Sequence, residues 1–122
     1  MLVPGMIVVL APILTGFILG PDAAAAFLIF GTITGVLVGL MLNNGGGAYD
    51  NAKKLIEENE NNDPLLGKGT EAHKAAVVGD TIGDPYKDTA GPSIHVLVKL
   101  INNILLTFAG LFISYNLIGY LF

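Results

Sequence analysis

The segment GDTIGDPYKDTAGPS, residues 79–93, combines three aspartates and a lysine with three glycines and two prolines. It leads directly into IHVLVKLINNILLTFAGLFISY, residues 94–115, which contains one charged residue, Lys99. A bilayer core about 30 Å thick is crossed by about 20 mostly apolar residues in a helix. The apolar segment therefore predicts a membrane helix, and the carboxylates that precede it require a functional explanation.

The composition of the whole chain also indicates a membrane protein. Of its 122 residues, 52% are hydrophobic and only 13% are charged, whereas soluble domains carry about 25% charged residues. Residues 50–88 contain nine of the ten acids and five of the six lysines. No basic patch favours a nucleic-acid partner, and the absence of cysteine excludes disulfides and thiolate metal sites.

Two further apolar segments, residues 2–19 and 23–42, are long enough to cross a bilayer. Helix-favouring residues after the second segment predict that its helix continues beyond the membrane. The predicted fold is an all-α, multi-span transmembrane bundle of three membrane helices with long extensions of the second and third. Its parts are a helix at about 2–19, a helix at about 23–58, a cytoplasmic loop at about 59–69 and a helix at about 70–120.

Local signals predict where these helices start. Gly20, Pro21 and Asp22 predict a tight turn in which Asp22 caps the second helix, and Thr70 is a candidate N-cap for the third. Five lysines lie in or beside the single long connection. By the positive-inside bias, that connection is predicted to be cytoplasmic.

The aspartates of the opening segment have helical spacing. Asp80, Asp84 and Asp88 lie at i, i+4 and i+8, on one side of an α-helix. Such a column is repulsive unless cations fill it, and carboxylate oxygens suit Mg²⁺. On the second helix, Asp50 and Lys53 also share a face, and lysines bind phosphate oxygens. Carboxylates, magnesium and lysine together predict phosphate chemistry.

Two other interpretations of these charged residues are compatible with the sequence. The charges could be solvated helix ends with incidental salt bridges, which we favour for Glu57, Glu58, Glu60, Asp63, Glu71 and Lys68. That explanation does not account for Gly79, Gly83 and Gly91, which cost about 1 kcal/mol each in a helix and predict close packing instead. Isolated histidines such as His73 are not predicted to have a direct chemical role. The second alternative is a non-enzymatic membrane scaffold or transporter segment with a structural divalent-cation site; lysines among the ligands argue against it.

Three segments resemble the C-terminal part of the membrane-integral inorganic pyrophosphatases: GGAYDNAKKLIE (residues 46–57), KGTEAHKAAVVGDTIGDPYKDTAGPS (68–93) and VLVKL (96–100). VPGMIVVLAPILTGFILG (3–20) is similar to the family's antepenultimate membrane helix, so the resemblance covers essentially the whole chain. The resemblance implies hydrolysis of pyrophosphate at a cytoplasmic-side funnel, coupled to export of H⁺ or Na⁺ by a homodimer. It also implies a chain several times longer, so that this sequence would be a C-terminal fragment or an incomplete gene product, inactive without the remaining helices.

The resemblance assigns roles to seven residues. The residues that match the family's magnesium-organising acids are Asp50, Asp80 and Asp84, and those that match its pyrophosphate-contacting lysines are Lys53 and Lys87. Asp88 matches one of two aspartates that hold the attacking water, the other of which lies on an earlier helix absent from this sequence. Lys99 matches a lysine of the ion gate. Departures from the family pattern, such as Tyr49 in place of Trp, remove no charged group.

The resemblance further implies the cofactor and the surroundings. Mg²⁺ is the expected cofactor, with K⁺ as a possible addition. The expected partners are pyrophosphate, the transported ion and the lipid bilayer, with no nucleic acid. The bilayer would be the cell membrane of a prokaryote, or a vacuolar or acidocalcisome-type membrane of a eukaryote, with the active site on the cytoplasmic side.

Lys99 lies eleven residues after Asp88. On an ideal α-helix it would return to nearly the same face about 16 Å further along the axis. This position predicts a lysine inside the membrane beneath the site. Intramembrane charges usually pair with another charge, and the partner is expected on a helix outside this sequence.

Overall fold

The computed structural model describes residues 2–59, 63, 65–115, 117 and 119. Its elements are α1 (Leu2–Leu19), α2 (Pro21–Glu58), α3 (Glu71–Pro85), a π-helical segment (Tyr86–Ala90) and α4 (Gly91–Ser114). The described residues include no strand, and three helical stretches are long and apolar enough to cross a membrane. The predicted all-α, multi-span class is confirmed. The predicted end of the last helix, near Tyr120, lies outside the described residues.

The turn between α1 and α2 is shorter than predicted. Gly20 alone is non-helical there, with a φ of 91° that glycine adopts without strain. Pro21 is the first residue of α2, where its missing N–H and fixed φ suit the helix start. The prediction of Asp22 as an N-cap is therefore wrong, because Asp22 lies inside the first turn. The N-cap at Thr70 is confirmed: its hydroxyl accepts from the His73 N–H at 3.1 Å.

The π-helical segment lies between α3 and α4. The N–H of Gly91 donates to the carbonyl of Tyr86, five residues earlier. Pro85 immediately precedes the segment, and a proline inside a helix removes one backbone donor and crowds the preceding turn. A π-turn contains more residues than an α-turn. The 100° spacing assumed for Asp88 in the aspartate column therefore does not hold across residues 86–90.

The chain forms two compact units, and the first comprises residues 1–36 and 95–122. Its core is centred on Phe112, which is 1% exposed. The ring of Phe17 meets it edge-on at 5.2 Å between centroids, and that of Phe108 stacks at 6.2 Å. A methyl group at Gly16 would come within 2.6 Å of the Phe112 ring. This glycine therefore allows the aromatic core to approach the α1 backbone.

The second unit comprises residues 37–94. Here α2 and α3 pack closely through small residues, since a Cβ on Gly83 would lie 3.1 Å from the Cα of Gly46. The ring of Tyr49 lies against Gly79, and the side chain of Asn43 occupies the space beside Gly91. The close packing predicted for Gly79, Gly83 and Gly91 is confirmed. It brings the charged faces of α2 and α3 within bonding distance of each other.

Candidate functional site

A cluster of lysines and aspartates lies on the facing sides of α2 and α3 in the second unit. Lys87, in the π-helical segment, binds two carboxylates at once. Its Nζ is 2.9 Å from Asp50 Oδ2 on α2 and 2.9 Å from Asp84 Oδ1 on α3. One ammonium group therefore connects acids that are 34 residues apart in the sequence.

Lys53 makes the second connection between the helices, through a hydrogen bond to Asp80 Oδ2. Asp80 is 5% exposed and is the one charged residue buried in the described part of the chain. Its other oxygen, Oδ1, is buried without a hydrogen-bond partner among the described residues. A buried carboxylate oxygen left unpaired is costly, so Oδ1 marks a position where a cation or a donor would be stabilised.

The charges of the cluster balance. A third lysine, Lys54, donates to Asp50 Oδ2 at 2.9 Å from one turn away on α2. Three carboxylates and three ammonium groups therefore compensate one another. An anion can bind the ammonium groups of this cluster, and a cation can bind its carboxylates. The cluster is therefore suited to a ligand that carries charges of both signs, such as a metal-bound phosphate.

The residues of the cluster suit a magnesium ion that is bound jointly by carboxylates and a phosphate ligand. No three His, Cys, Asp or Glu side chains in the described ranges are close enough to form a metal cage. Magnesium in phosphate sites, however, is usually held by one or two carboxylates together with phosphate oxygens and waters. The unpaired Oδ1 of Asp80 supplies one such oxygen. The cluster thus suits magnesium that is shared with a phosphate ligand.

Two of the seven predicted site residues make no bond in this network. Asp88 is exposed within the π-helical segment, and its carboxylate has no hydrogen bond or ion pair among the described residues. Lys99 belongs to the first unit, is exposed on α4 and likewise forms no ion pair in the described part of that unit. The residues brought together are Asp50, Lys53, Asp80, Asp84 and Lys87.

Sequence reasoning missed one pair beside the cluster. The side chains of Glu57 and His73 are hydrogen-bonded, with Oε1 and Nε2 3.0 Å apart. The interpretation of Glu57 as a solvated acid is wrong, because its side chain is 30% exposed and paired with His73. The available signal was position: Glu57 follows Lys53 by one helical turn, and His73 precedes Asp80 by about two.

With this geometry in view, comparisons with known proteins identify the family. The family model for "Inorganic H+ pyrophosphatase" matches residues 1–108. The chain belongs to the inorganic H⁺ pyrophosphatase family. It is 66% identical over 113 residues to the "K(+)-insensitive pyrophosphate-energized proton pump 2" of Moorella thermoacetica, a match that covers 93% of this chain and 16% of the relative.

A plant relative and a second bacterial relative also match most of this chain. A "Pyrophosphate-energized membrane proton pump 3" of Arabidopsis thaliana is 48% identical over 125 residues, covering 93% of this chain and 15% of the relative. A Bacteroides thetaiotaomicron relative, whose name describes a K(+)-stimulated pyrophosphate-energized sodium pump, is 47% identical over 117 residues, covering 96% of this chain and 15% of that protein. The chain thus spans about one sixth of the length of these curated relatives. Family membership and the three apolar helices make this an integral membrane protein.

Proposed function

We propose that this chain forms part of the active site and ion gate of a membrane pyrophosphatase, which hydrolyses inorganic pyrophosphate and couples the reaction to translocation of H⁺ or Na⁺. The observation that carries the proposal is Lys87, whose ammonium group binds acids from both α2 and α3. A plain cation site has no use for a lysine among its ligands, whereas a site for metal-bound phosphate requires both charges.

Substrate binding is assigned to the cluster of the second unit. Lys53 and Lys87 would exchange their carboxylate partners for phosphate oxygens. Asp50, Asp80 and Asp84 would then hold magnesium, with Asp80 Oδ1 as an oxygen that has no partner to give up. When bound, magnesium neutralises the negative charge that builds up on the phosphates during transfer.

Chemistry is assigned to Asp88. Its carboxylate is exposed and has no protein partner in the described residues, so it can accept a hydrogen bond from a water molecule. Asp88 would orient this water for in-line attack on one phosphorus and take its proton, while the bond to the leaving phosphate breaks. No phosphoenzyme forms, and the proton on Asp88 is a source for ion transport.

The remaining parts of the proposal concern the membrane. Lys99 would act as the cation of an ion gate, and the lysine-containing connection would face the cytoplasm. The complete protein would act as a homodimer. The names of the relatives include both K(+)-insensitive and K(+)-stimulated pumps, so a K⁺ requirement is to be determined for this protein directly.

The test uses the complete protein in sealed vesicles. We expect added pyrophosphate to be hydrolysed only with Mg²⁺ present, and H⁺ or Na⁺ to enter the vesicles at the same time. A pH-sensitive dye and radioactive sodium distinguish the two ions, and Lys53→Ala should abolish both hydrolysis and transport. The structural cation-site alternative predicts instead binding of Ca²⁺ or Mg²⁺ without hydrolysis.

A further inference from the structure

The pair formed by Glu57 and His73 connects the C-terminal end of α2 to the N-terminal end of α3. Besides the 3.0 Å contact between Glu57 Oε1 and His73 Nε2, the N–H of Gly69 donates to His73 Nδ1 at 3.3 Å. Because Nδ1 accepts, the proton of the neutral imidazole lies on Nε2, which donates to the Glu57 carboxylate. Both ring nitrogens of His73 are therefore used, one toward α2 and one toward the loop.

The loop before α3 fixes the direction of the His73 ring. Thr70 donates from its hydroxyl to the Gly67 carbonyl at 2.8 Å and accepts from the His73 N–H. Gly67 and Gly69 have φ values of 110° and 90°, which only glycine adopts without strain. The turn thus positions His73 through local hydrogen bonds between backbone groups and side chains. The His73 ring in turn determines where the Glu57 side chain lies.

The pair lies on the same helix faces as the lysine–aspartate cluster. Along the antiparallel contact of α2 and α3, Tyr49 meets Gly83 and Gly79, Lys53 meets Asp80, and Glu57 meets His73. The residues on α2 recur every four positions, which keeps them on one face. The hydrogen bond of Glu57 and His73 therefore continues the row of contacts that contains the Lys53–Asp80 bond.

We propose that Glu57 and His73 are positioning residues for the phosphate site, because their hydrogen bond fixes the register of α2 against α3. The inference rests on the proposed pyrophosphatase function. Neither side chain touches the ligand; both act through Lys53 and Asp80, which come from different helices. Because Lys53 and Asp80 are the proposed phosphate and magnesium ligands and come from different helices, a change of register moves them relative to each other and weakens binding of metal-bound phosphate.

The test measures hydrolysis and binding of imidodiphosphate, a non-hydrolysable analogue, by the complete protein. Glu57→Ala and His73→Ala should each raise the KM for magnesium pyrophosphate and weaken analogue binding by about tenfold, as expected for one lost hydrogen bond to a charged group, with a smaller change in kcat. The double variant should be no worse than either single variant. Glu58→Ala, which removes the neighbouring exposed acid, is the matched control and should behave as wild type.

Conservative variants separate positioning from loss of folding. His73→Gln keeps a donor near the Nε2 position and should recover most of the affinity, whereas His73→Phe should not. Glu57→Gln keeps an acceptor oxygen for the His73 N–H and should likewise recover most of the affinity that Glu57→Ala loses. If wild type hydrolyses pyrophosphate but Glu57→Ala and His73→Ala match Glu58→Ala, the positioning role is wrong. Additive losses in the double variant would also overturn it. A wild-type protein without hydrolysis would instead overturn the proposed function together with this inference.

Discussion

Lys87 and Asp88 are adjacent in the sequence but differ in ion pairing and in exposure. The Lys87 ammonium is held between Asp50 and Asp84, with its side chain 21% exposed, whereas Asp88 is exposed and unpaired among the described residues. A group held by two anions is placed to bind phosphate oxygens, and a free carboxylate is placed to receive a proton. The different environments support different roles for these two neighbours.

The first prediction separates these roles. In the complete protein, Asp88→Asn removes the proton acceptor and should lower kcat by about 100-fold or more, with analogue affinity nearly unchanged. Lys87→Ala should weaken analogue binding, because it removes the proposed contact of its ammonium group to the phosphate. Lys74→Ala removes an exposed lysine paired only within α3 to Glu71 and serves as the control. Normal hydrolysis by Asp88→Asn would refute the water-holding role.

At the scale of elements, the facing sides of α2 and α3 form the candidate site. Gly46 and Gly83 allow the two helix backbones to approach each other. The acids and lysines of the cluster lie within one to three turns of these glycines. The distance between opposing side chains is therefore set by glycines that carry no chemistry themselves. Changes in the glycine contact should affect the site even though no charged group is altered.

The second prediction tests this contact. A methyl group at Gly46 would lie 2.4 Å from the Gly83 carbonyl oxygen and 2.8 Å from Lys87 Cβ, whereas one at Gly47 would have no neighbour within 4 Å. Gly46→Ala should therefore destabilise the protein by about 1–3 kcal/mol and reduce hydrolysis. Gly47→Ala should be neutral or slightly stabilising, because alanine favours a helix. Thermal inactivation and hydrolysis are measured for both, and equal behaviour would contradict close packing at Gly46.

The third prediction concerns magnesium held by acids from both helices. Protection of the complete protein against heat by imidodiphosphate should require Mg²⁺, since Asp50, Asp80 and Asp84 would repel a phosphate without it. Protection should disappear in Asp84→Ala and persist in the control Glu71→Ala, whose side chain is 90% exposed. Equal protection in EDTA would exclude joint binding of metal and analogue.

At the scale of the whole molecule, the proposed ion transport would require groups inside the membrane in addition to the lysine–aspartate cluster. The first unit is almost entirely apolar, with an aromatic core around Phe112 and a hydrogen bond of 3.0 Å between Thr32 and Asn102. Lys99 is the one charged residue in the sequence after Asp88. A charge among so many apolar residues is expensive in a bilayer and is usually retained for ion transport.

The fourth prediction therefore concerns the ratio of transport to hydrolysis. Lys99→Ala should reduce ion movement more than pyrophosphate hydrolysis, because the proposed gate loses its cation while the acids and lysines of the second unit are unchanged. Both activities are measured on the same vesicles. Asn103→Ala, one turn away on α4 and exposed, is the control for a general defect in that helix. An unchanged number of ions moved per pyrophosphate would count against Lys99 as a gate residue.

The membrane character and the all-α class could be predicted from the sequence alone. So could the residues of the lysine–aspartate cluster. Apolar length is enough to predict a span, and glycine and aspartate spacing predicted close packing beside a charged face. Three features became visible only in the tertiary structure: the Glu57–His73 pair, the bridge that Lys87 forms between two carboxylates, and the π-helical segment. Each of these depends on the register between two antiparallel helices or on the interruption of the α-helix after Pro85. A periodicity of 3.6 residues describes one helix without specifying what lies opposite.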